Sequence, residues 1–293
     1  MKNSFYIAGG DLRSVYLAKA LAKEGYEVKV FAIEKAKLPE NIGTIEKPED
    51  FENAENIILP LPCCNSEGFL KTPLSDSEIP LPKILEHLKK GAVLMGGLLP
   101  DDFVVSAKEK GIRTFDYYYR EEFAVRNAAL TAEAAAAKLM EMLRESISTV
   151  PVLILGHGRI GRLLAAILKA LDAKVTVAAR RYSDLAWIRS EGMEPLEFRL
   201  LDGEIGRFRV VFNTVPAPVL TKEKLVLMDS GAIIIDLASE PCGTDFSAAE
   251  ELGIRAEKAL GLPGKFAPKT AGEIIKDTVL NILAEMEEDS DAR

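Results

Sequence analysis

An α/β fold built from two doubly wound parallel sheets is expected from three features of the sequence. Apolar runs rich in branched residues alternate with helical patterns almost from end to end, the pattern of βα units that feed parallel strands. A glycine hexamer, Gly156-His157-Gly158-Arg159-Ile160-Gly161, directly follows one such run and opens a helix, which is the local grammar of a dinucleotide-binding turn. The chain has 293 residues, and at roughly 150 residues per domain that suffices for two domains, each with its own core.

The first half reads as a strand (Ser4 to Ala8), a turn at Gly9 and Gly10, a helix (Leu12 to Lys23) and a second strand (Glu27 to Ala32). Further strands are expected at Asn56 to Leu59, Ala92 to Met95 and Arg113 to Phe115, with helices near Leu81 to Lys90 and Asp101 to Lys110. The stretch Leu59 to Pro82 holds Pro60, Pro62, Pro73, Pro80 and Pro82. It reads as a long loop over the strand ends, where function concentrates. From Phe123 to Ser146 helix propensity is high throughout and alanines abound, which predicts one long connecting helix.

A second βα series follows. Strands are expected at Val150 to Leu155, Lys174 to Ala179, Val210 to Asn213, Ala232 to Asp236 and Arg255 to Ala259, with helices at Ile160 to Leu171 and Ser183 to Glu191. After a loop from Gly261 to Lys269, a last amphipathic helix runs from Thr270 to about Glu287. The expected domains are therefore residues 1–122 completed by the C-terminal helix 270–293, a connecting helix 123–148, and a Rossmann domain 149–269.

Composition limits the partners. Lys+Arg 37 against Asp+Glu 45 gives a net charge of -8, with a pI near 5.1. Such a chain offers no general field for nucleic acid or anionic lipid, so neither is expected as a partner. The opening MKNSFYIAGGDLR lacks the apolar core of a signal peptide, and no stretch reaches about 18 uncharged apolar residues. A cytoplasmic protein is expected. Cys63, Cys64 and Cys242 cannot all pair and show no metal-ligand spacing, so no metal is expected.

The hexamer assigns roles by position. Gly156 makes the tight turn, Gly158 lets the backbone approach a pyrophosphate, and Gly161 lets helix and strand pack closely, while His157, Arg159 and Ile160 complete the turn and begin the helix. At the end of the next strand a carboxylate would accept the ribose hydroxyls of NAD. The sequence there is Ala178-Ala179-Arg180-Arg181-Tyr182-Ser183. Arg180, Arg181 and Ser183 suit a 2′-phosphate instead, which favours NADP. Asn213, Thr214, Val215 and Pro216 at one strand end, and Ala238 and Ser239 at the next, are placed to meet the nicotinamide half. Lys269 is a candidate anion clamp, Thr270 a candidate helix cap, and Gly9-Gly10-Asp11-Leu12-Arg13 a turn able to present N–H groups and Arg13 to a small carboxylate.

With these residues laid out, the chain resembles the A subunits of dipicolinate synthase over nearly its whole length. The likeness rests on Ile7-Ala8-Gly9-Gly10-Asp11-Leu12-Arg13, Ile57-Ile58-Leu59-Pro60, Asn127 with Thr131 and Glu133, the hexamer, Asp236-Leu237-Ala238-Ser239 with Gly243-Thr244-Asp245-Phe246, and Gly261-Leu262-Pro263-Gly264 with Ala267-Pro268-Lys269-Thr270-Ala271-Gly272. Cys242 stands where glycine is usual, Lys265 where an aliphatic residue is usual, and Ile160 where threonine is common.

What the resemblance implies is NADP-dependent oxidation of a dihydrodipicolinate-type ring, derived from the lysine-pathway intermediate 4-hydroxy-tetrahydrodipicolinate, to dipicolinate in the mother cell of a sporulating bacterium. The implied layout is that of formate/glycerate and alanine dehydrogenases. The implied partners are a small dicarboxylate substrate, further copies of the chain, and a second, flavoprotein-like subunit. Arg13, Asn127, Thr131, Lys269 and Thr270 are then candidates to bind the substrate, with water or Asp11 as proton acceptor. Two other readings stay open: an NADP-linked amino-acid or hydroxy-acid dehydrogenase, and a non-catalytic NADP-binding subunit.

Overall fold

Short branched apolar segments become strands here because both faces of each sheet are covered. The computed structural model describes residues 4–291. By its contacts the chain divides into one unit of residues 1–126 and 267–293 and another of residues 127–266.

In the first unit the strands are β1 (Ser4–Ala8), β2 (Glu27–Phe31), β3 (Ile42–Ile45), β4 (Asn56–Ile58), β5 (Val93–Gly96) and β6 (Arg113–Asp116). The helices are α1 (Leu12–Lys23), α2 (Pro82–Glu86), α3 (Asp101–Glu109), the start of α4 (Glu121–Met142), and the last helix (Pro268–Asp291). All strand pairings are parallel, in the order β3-β2-β1-β4-β5-β6. A core of Tyr6, Phe31, Phe51, Ile57, Leu94 and Phe103 fills one face. The Pro-rich stretch after β4 is a packed loop, with Leu61, Cys63, Leu70, Ile79 and Leu81 buried.

The second unit repeats the plan. It contains β7 (Pro151–Leu155), α5 (Arg159–Ala170), β8 (Lys174–Ala179), α6 (Tyr182–Ser190), β9 (Glu194–Glu197), α7 (Leu201–Glu204), β10 (Val210–Asn213), α8 (Lys222–Leu225), β11 (Ile233–Asp236), α9 (Phe246–Glu251), β12 (Arg255–Lys258) and α10 (Leu262–Phe266). Its parallel order is β12-β11-β10-β7-β8-β9. Both sheets thus reverse direction beside their first strand, β1 against β4 and β7 against β10, and the crevice at such a reversal is where an open α/β sheet takes ligands. One face of the second sheet packs on the alanine-rich side of α4 through Ala132, Ala135 and Leu139. The other face packs on Leu201, Phe208 and Leu225.

Several features differ from the sequence expectation, among them the short helices α7, α8 and α9 and an α2 that ends at Glu86 rather than near Lys90. Strands β3 and β9 both lie at sheet edges, and each carries a residue that weakens the strand signal, Gly43 in one and Pro195 in the other. The connecting helix stops at Met142, short of Ser146. The last helix, α11, begins at Pro268 rather than Thr270, because proline suits the first helical position, where no N–H bond is needed. Thr270 therefore sits inside the first turn and is not the cap. A short helix, α10, also occupies part of the expected loop from Gly261 to Lys269.

Helix α11 joins the first unit by a close approach to α1. A Cβ on Gly272 would lie 2.6 Å from Arg13 O and 2.8 Å from Leu17 N. Alanine gains about 1 kcal/mol over glycine in an exposed helix, but main-chain atoms cannot yield as a side-chain tip can, and overpacking costs about 1 to 3 kcal/mol. Gly272→Ala is accordingly expected to lower the thermal midpoint by several degrees. An unchanged or raised midpoint would show that α1 and α11 are less closely packed.

Candidate functional site

Each fingerprint glycine meets a different surrounding in the second unit. Gly156 has φ +99°, and a Cβ there would lie 2.5 Å from Thr214 Oγ1, so the turn requires glycine. A Cβ on Gly161 would lie 2.2 Å from Gly156 O. Gly158 caps α5, and a Cβ there would meet nothing within 4 Å. The space over Gly158 is open, and the first main-chain N–H groups of α5 have no partners within the helix. A pyrophosphate fits such a cradle, where the positive end of the helix dipole favours negative charge. Arg159 and Ile160 form the first turn of α5, and His157 contributes main chain while its ring turns inward.

Strand β8 ends at Ala179, and Arg180 and Arg181 lead into α6. Arg180, Arg181, Tyr182 and Ser183 are exposed, and no carboxylate of the described residues pairs with either arginine. Two guanidinium groups without a carboxylate partner among the described residues thus stand at a helix N-terminus on a chain of net negative charge.

The other lip of the crevice is organised by Asp236. Its side chain is fully buried. Oδ1 accepts from Asn213 Nδ2 at 3.0 Å and Ala238 N at 3.0 Å, and Oδ2 accepts from Gly243 N at 3.0 Å and Thr244 Oγ1 at 2.6 Å. A buried carboxylate is stable only when its lone pairs are matched in this way. These bonds fold the segment 238–244 back over the ends of β10 and β11. Gly243 has no room for a side chain, since a Cβ would lie 2.4 Å from Asn213 Nδ2, and Asp245 then caps α9 by accepting from Ala248 N at 2.9 Å. Cys242 adopts φ +69°, the left-handed region that favours glycine. That conformation accounts for glycine being usual at the position.

The expected nicotinamide-side residues divide. Asn213 is fully buried; its Nδ2 donates to Val215 O and Asp236 Oδ1, and its Oδ1 accepts from Val215 N. A direct ribose contact is therefore replaced by support of the turn. The Thr214 hydroxyl likewise donates to Leu155 O at 2.8 Å. Val215 is half-buried, Ala238 is buried, and Pro216 and Ser239 are exposed at this edge. The importance of Asp236 and Thr244 was hidden in the sequence by their resemblance to ordinary turn residues.

The equivalent place in the first unit is filled by the protein itself. Gly9 N donates to Phe31 O and Gly10 N to Lys71 O, and a Cβ on Gly9 would lie 2.7 Å from Lys71 O. The expected presentation of these amides to a ligand is thus overturned, because strand β2 takes the Gly9 amide and the loop after β4 takes that of Gly10. Asp11 caps α1 by accepting from Arg13 N at 2.9 Å, and it also receives Arg13 Nε and Nη2 at 2.9 Å each. Arg13 Nη2 further donates to Leu61 O at 2.5 Å, so its side chain is only 15% exposed.

Lys269 and Thr270 are exposed in the first turn of α11, within the first unit. Asn127 and Thr131 belong to the second unit. The Thr131 hydroxyl is buried and donates to Asn127 O at 2.9 Å, which removes it as a ready substrate donor. Among the described residues no group of three or more His, Cys, Asp or Glu could hold a metal. No helix of the described residues is long and apolar enough to cross a membrane.

The glycine geometry separates folding from binding. Gly158→Ala is expected to leave the thermal midpoint of the ligand-free protein within about 1 °C while weakening dinucleotide binding at least about tenfold, because the new methyl enters open space that the ligand needs. Gly161→Ala is expected to lower the midpoint itself, by the overpacking of about 1 to 3 kcal/mol. Equal effects of the two changes on stability would contradict this geometry.

Comparison with known proteins gives two family models that match successive parts of the chain. A family model for the N-terminal domain of the dipicolinate synthase A subunit matches residues 4–118, and one described as "D-isomer specific 2-hydroxyacid dehydrogenase, NAD binding domain" matches residues 121–241. The chain is 30% identical over 293 residues to the dipicolinate synthase A subunit of Bacillus subtilis (strain 168), with 96% of each chain covered. A crystal structure of the dipicolinate synthase A subunit from Bacillus halodurans matches with a TM-score of 0.89 and 31% identity, covering 97% of this chain and 98% of that one. The corresponding crystal structure from Bacillus subtilis matches with a TM-score of 0.87 and 28% identity, covering 99% and 98%.

Proposed function

The chain belongs to the family of dipicolinate synthase A subunits, and from that premise we propose that it oxidises a dihydrodipicolinate-type ring to dipicolinate with NADP as hydride acceptor. The observation that carries the cofactor half is the room over Gly158 at the start of α5, in the same unit as Arg180 and Arg181, which pair with no carboxylate of the described residues. The bound nicotinamide supplies the hydride acceptor. The protein supplies orientation and charge.

Gly156 to Gly161 and the first N–H groups of α5 hold the pyrophosphate. Arg180, Arg181 and Ser183 take the 2′-phosphate, and Val215, Pro216, Ala238 and Ser239 line the nicotinamide side. Asp236, Asn213 and Thr214 keep that side in place through the hydrogen bonds of the turn.

The substrate carries two carboxylates, and the first unit offers two cationic groups for them. Arg13 is pre-oriented by Asp11 and Leu61 O, which leaves the Nη1 edge for a ligand. Lys269 and Thr270 stand at the N-terminus of α11, where the helix dipole adds to the Lys269 charge. Aromatisation provides much of the driving force, so the protein needs to orient and desolvate more than to perform strong acid–base chemistry. With both Asp11 oxygens engaged by Arg13, the proton released from the ring passes to solvent. The relatives are named as one subunit of a synthase, which supports a second subunit in partnership; a sporulating mother cell is the setting that this reading assigns.

The reading predicts that Arg180→Ala and Arg181→Ala each weaken NADP binding about 10-fold to 100-fold and NAD binding little, because each charge-assisted contact contributes about 1.5 to 3 kcal/mol. Calorimetric titration of both cofactors checks it, and equal affinity of the unaltered protein for NAD and NADP would contradict it. The reaction is tested by supplying purified protein, NADP and the freshly made product of dihydrodipicolinate synthase, with and without a second subunit. NADPH and the ultraviolet bands of dipicolinate should rise together. Dipicolinate forming no faster than without protein, or robust turnover of alanine or a 2-hydroxy acid, would overturn the assignment.

A further inference from the structure

Between Gly156 and Gly158 the fingerprint turn carries one side chain, His157, and the proposed chemistry does not use it. The His157 side chain is 1% exposed, and its Nε2 lies 3.4 Å from Glu191 Oε2. Glu191 is the residue immediately after α6. Its Oε1 accepts from Arg162 Nη2, near the start of α5, at 2.7 Å. Its main-chain oxygen accepts from Lys169 Nζ, near the end of α5, at 2.5 Å. The Arg162 guanidinium also lies 5.5 Å from the centre of the Trp187 ring on α6. One carboxylate therefore ties together the turn after β7, helix α5, and helix α6, the helix whose opposite end follows Arg180 and Arg181.

We propose that Glu191 and His157 form a positioning pair that fixes the fingerprint turn against α5 and α6 before the dinucleotide arrives. The inference rests on reading the fingerprint as the dinucleotide site. A segment flanked by Gly156 and Gly158 has unusual backbone freedom, and holding it still on binding would cost entropy. A ring buried beneath that segment, its Nε2 facing a carboxylate at 3.4 Å and bonded to nothing else, removes much of this freedom in advance, so more of the phosphate interaction appears as affinity. The carboxylate is suited to the task. Burial pushes the Glu191 carboxyl up, but Arg162 and His157 together pull it below its ordinary value of 4.5, so it is ionised at neutral pH. Neither residue touches the ligand's reacting atoms; both act through the turn.

A purely stabilising salt bridge would behave differently, and Glu194 provides the comparison. Glu194 is in the same unit, bonded to Arg207 Nη2 at 2.7 Å and Thr176 Oγ1 at 2.8 Å, away from the fingerprint. The experiment compares the full-length unaltered protein, Glu191→Gln, His157→Asn, the double variant and Glu194→Gln. For each, the NADPH dissociation constant is read by fluorescence titration and the thermal midpoint is read without ligand.

Glu191→Gln and His157→Asn should each raise the dissociation constant about 3-fold to 10-fold. The double variant should be no worse than the weaker single, because the two residues act as one device. Glu194→Gln should lower the midpoint and leave the dissociation constant unchanged. Binding by Glu191→Gln and His157→Asn equal to that of the unaltered protein, or single effects that simply multiply in the double variant, would overturn the proposal. Because the readout needs no substrate, tight NADPH binding without dipicolinate formation would remove the proposed reaction and leave this inference standing. Absence of any dinucleotide binding would remove both.

Discussion

Backbone N–H groups at the start of a helix attract phosphate only if nothing of the protein's own reaches them first. In this chain two sheets of the same strand order each end their first strand in such a turn. After β1, Lys71 O accepts from Gly10 N, and the side chain of Leu70 lies close over Gly9. After β7 no atom of the described residues would lie within 4 Å of a Cβ on Gly158. Two similar scaffolds are thereby given different tasks, and the difference comes from a loop inserted after β4 rather than from the sheets themselves. The guanidinium of Arg13, drawn across the first turn to Leu61 O, is part of that closure.

An open cradle must still be rigid, and buried polar groups supply the rigidity. Asp236 gathers four donors from β10, from the chain just after β11 and from the returning segment. Removing one partner from such a set leaves buried groups unsatisfied at about 1 to 3 kcal/mol each, which makes this edge of the crevice an all-or-none structure. Surface ion pairs add a pH dependence. Glu194 is held below its ordinary value by Arg207 and Thr176; for Asp277, burial acts upward but Arg126 and Lys276 outweigh it. Groups of depressed pKa stabilise the fold above their unfolded values, 4.5 for Glu and 3.8 for Asp, and that contribution is lost as pH falls through the lower folded values.

Much of this was legible in the sequence because its signals are local. Strand Val152-Leu153-Ile154-Leu155, the glycines after it and the arginines after Ala179 are all read within a few residues of one another. Edge strands were harder: Glu194-Pro195-Leu196-Glu197 lacks the apolar run of a central strand and pairs on one side only. The start of α11 was misplaced by two residues because threonine is a common cap, whereas Pro268 was already helical. What no spacing announces are bonds between distant segments. Glu191 meets a histidine 34 positions earlier, Gly10 meets Lys71, and the Thr131 hydroxyl, which looked available, is taken by its own helix.

The claim that one crevice is open and the other closed is tested most directly by counting bound dinucleotides. Isothermal titration of the full-length protein with NADPH should give one site per chain. That single site should vanish when a bulky side chain replaces Gly158, in a protein that still unfolds cooperatively. Two sites per chain, or one site that survives the change at Gly158, would contradict the account.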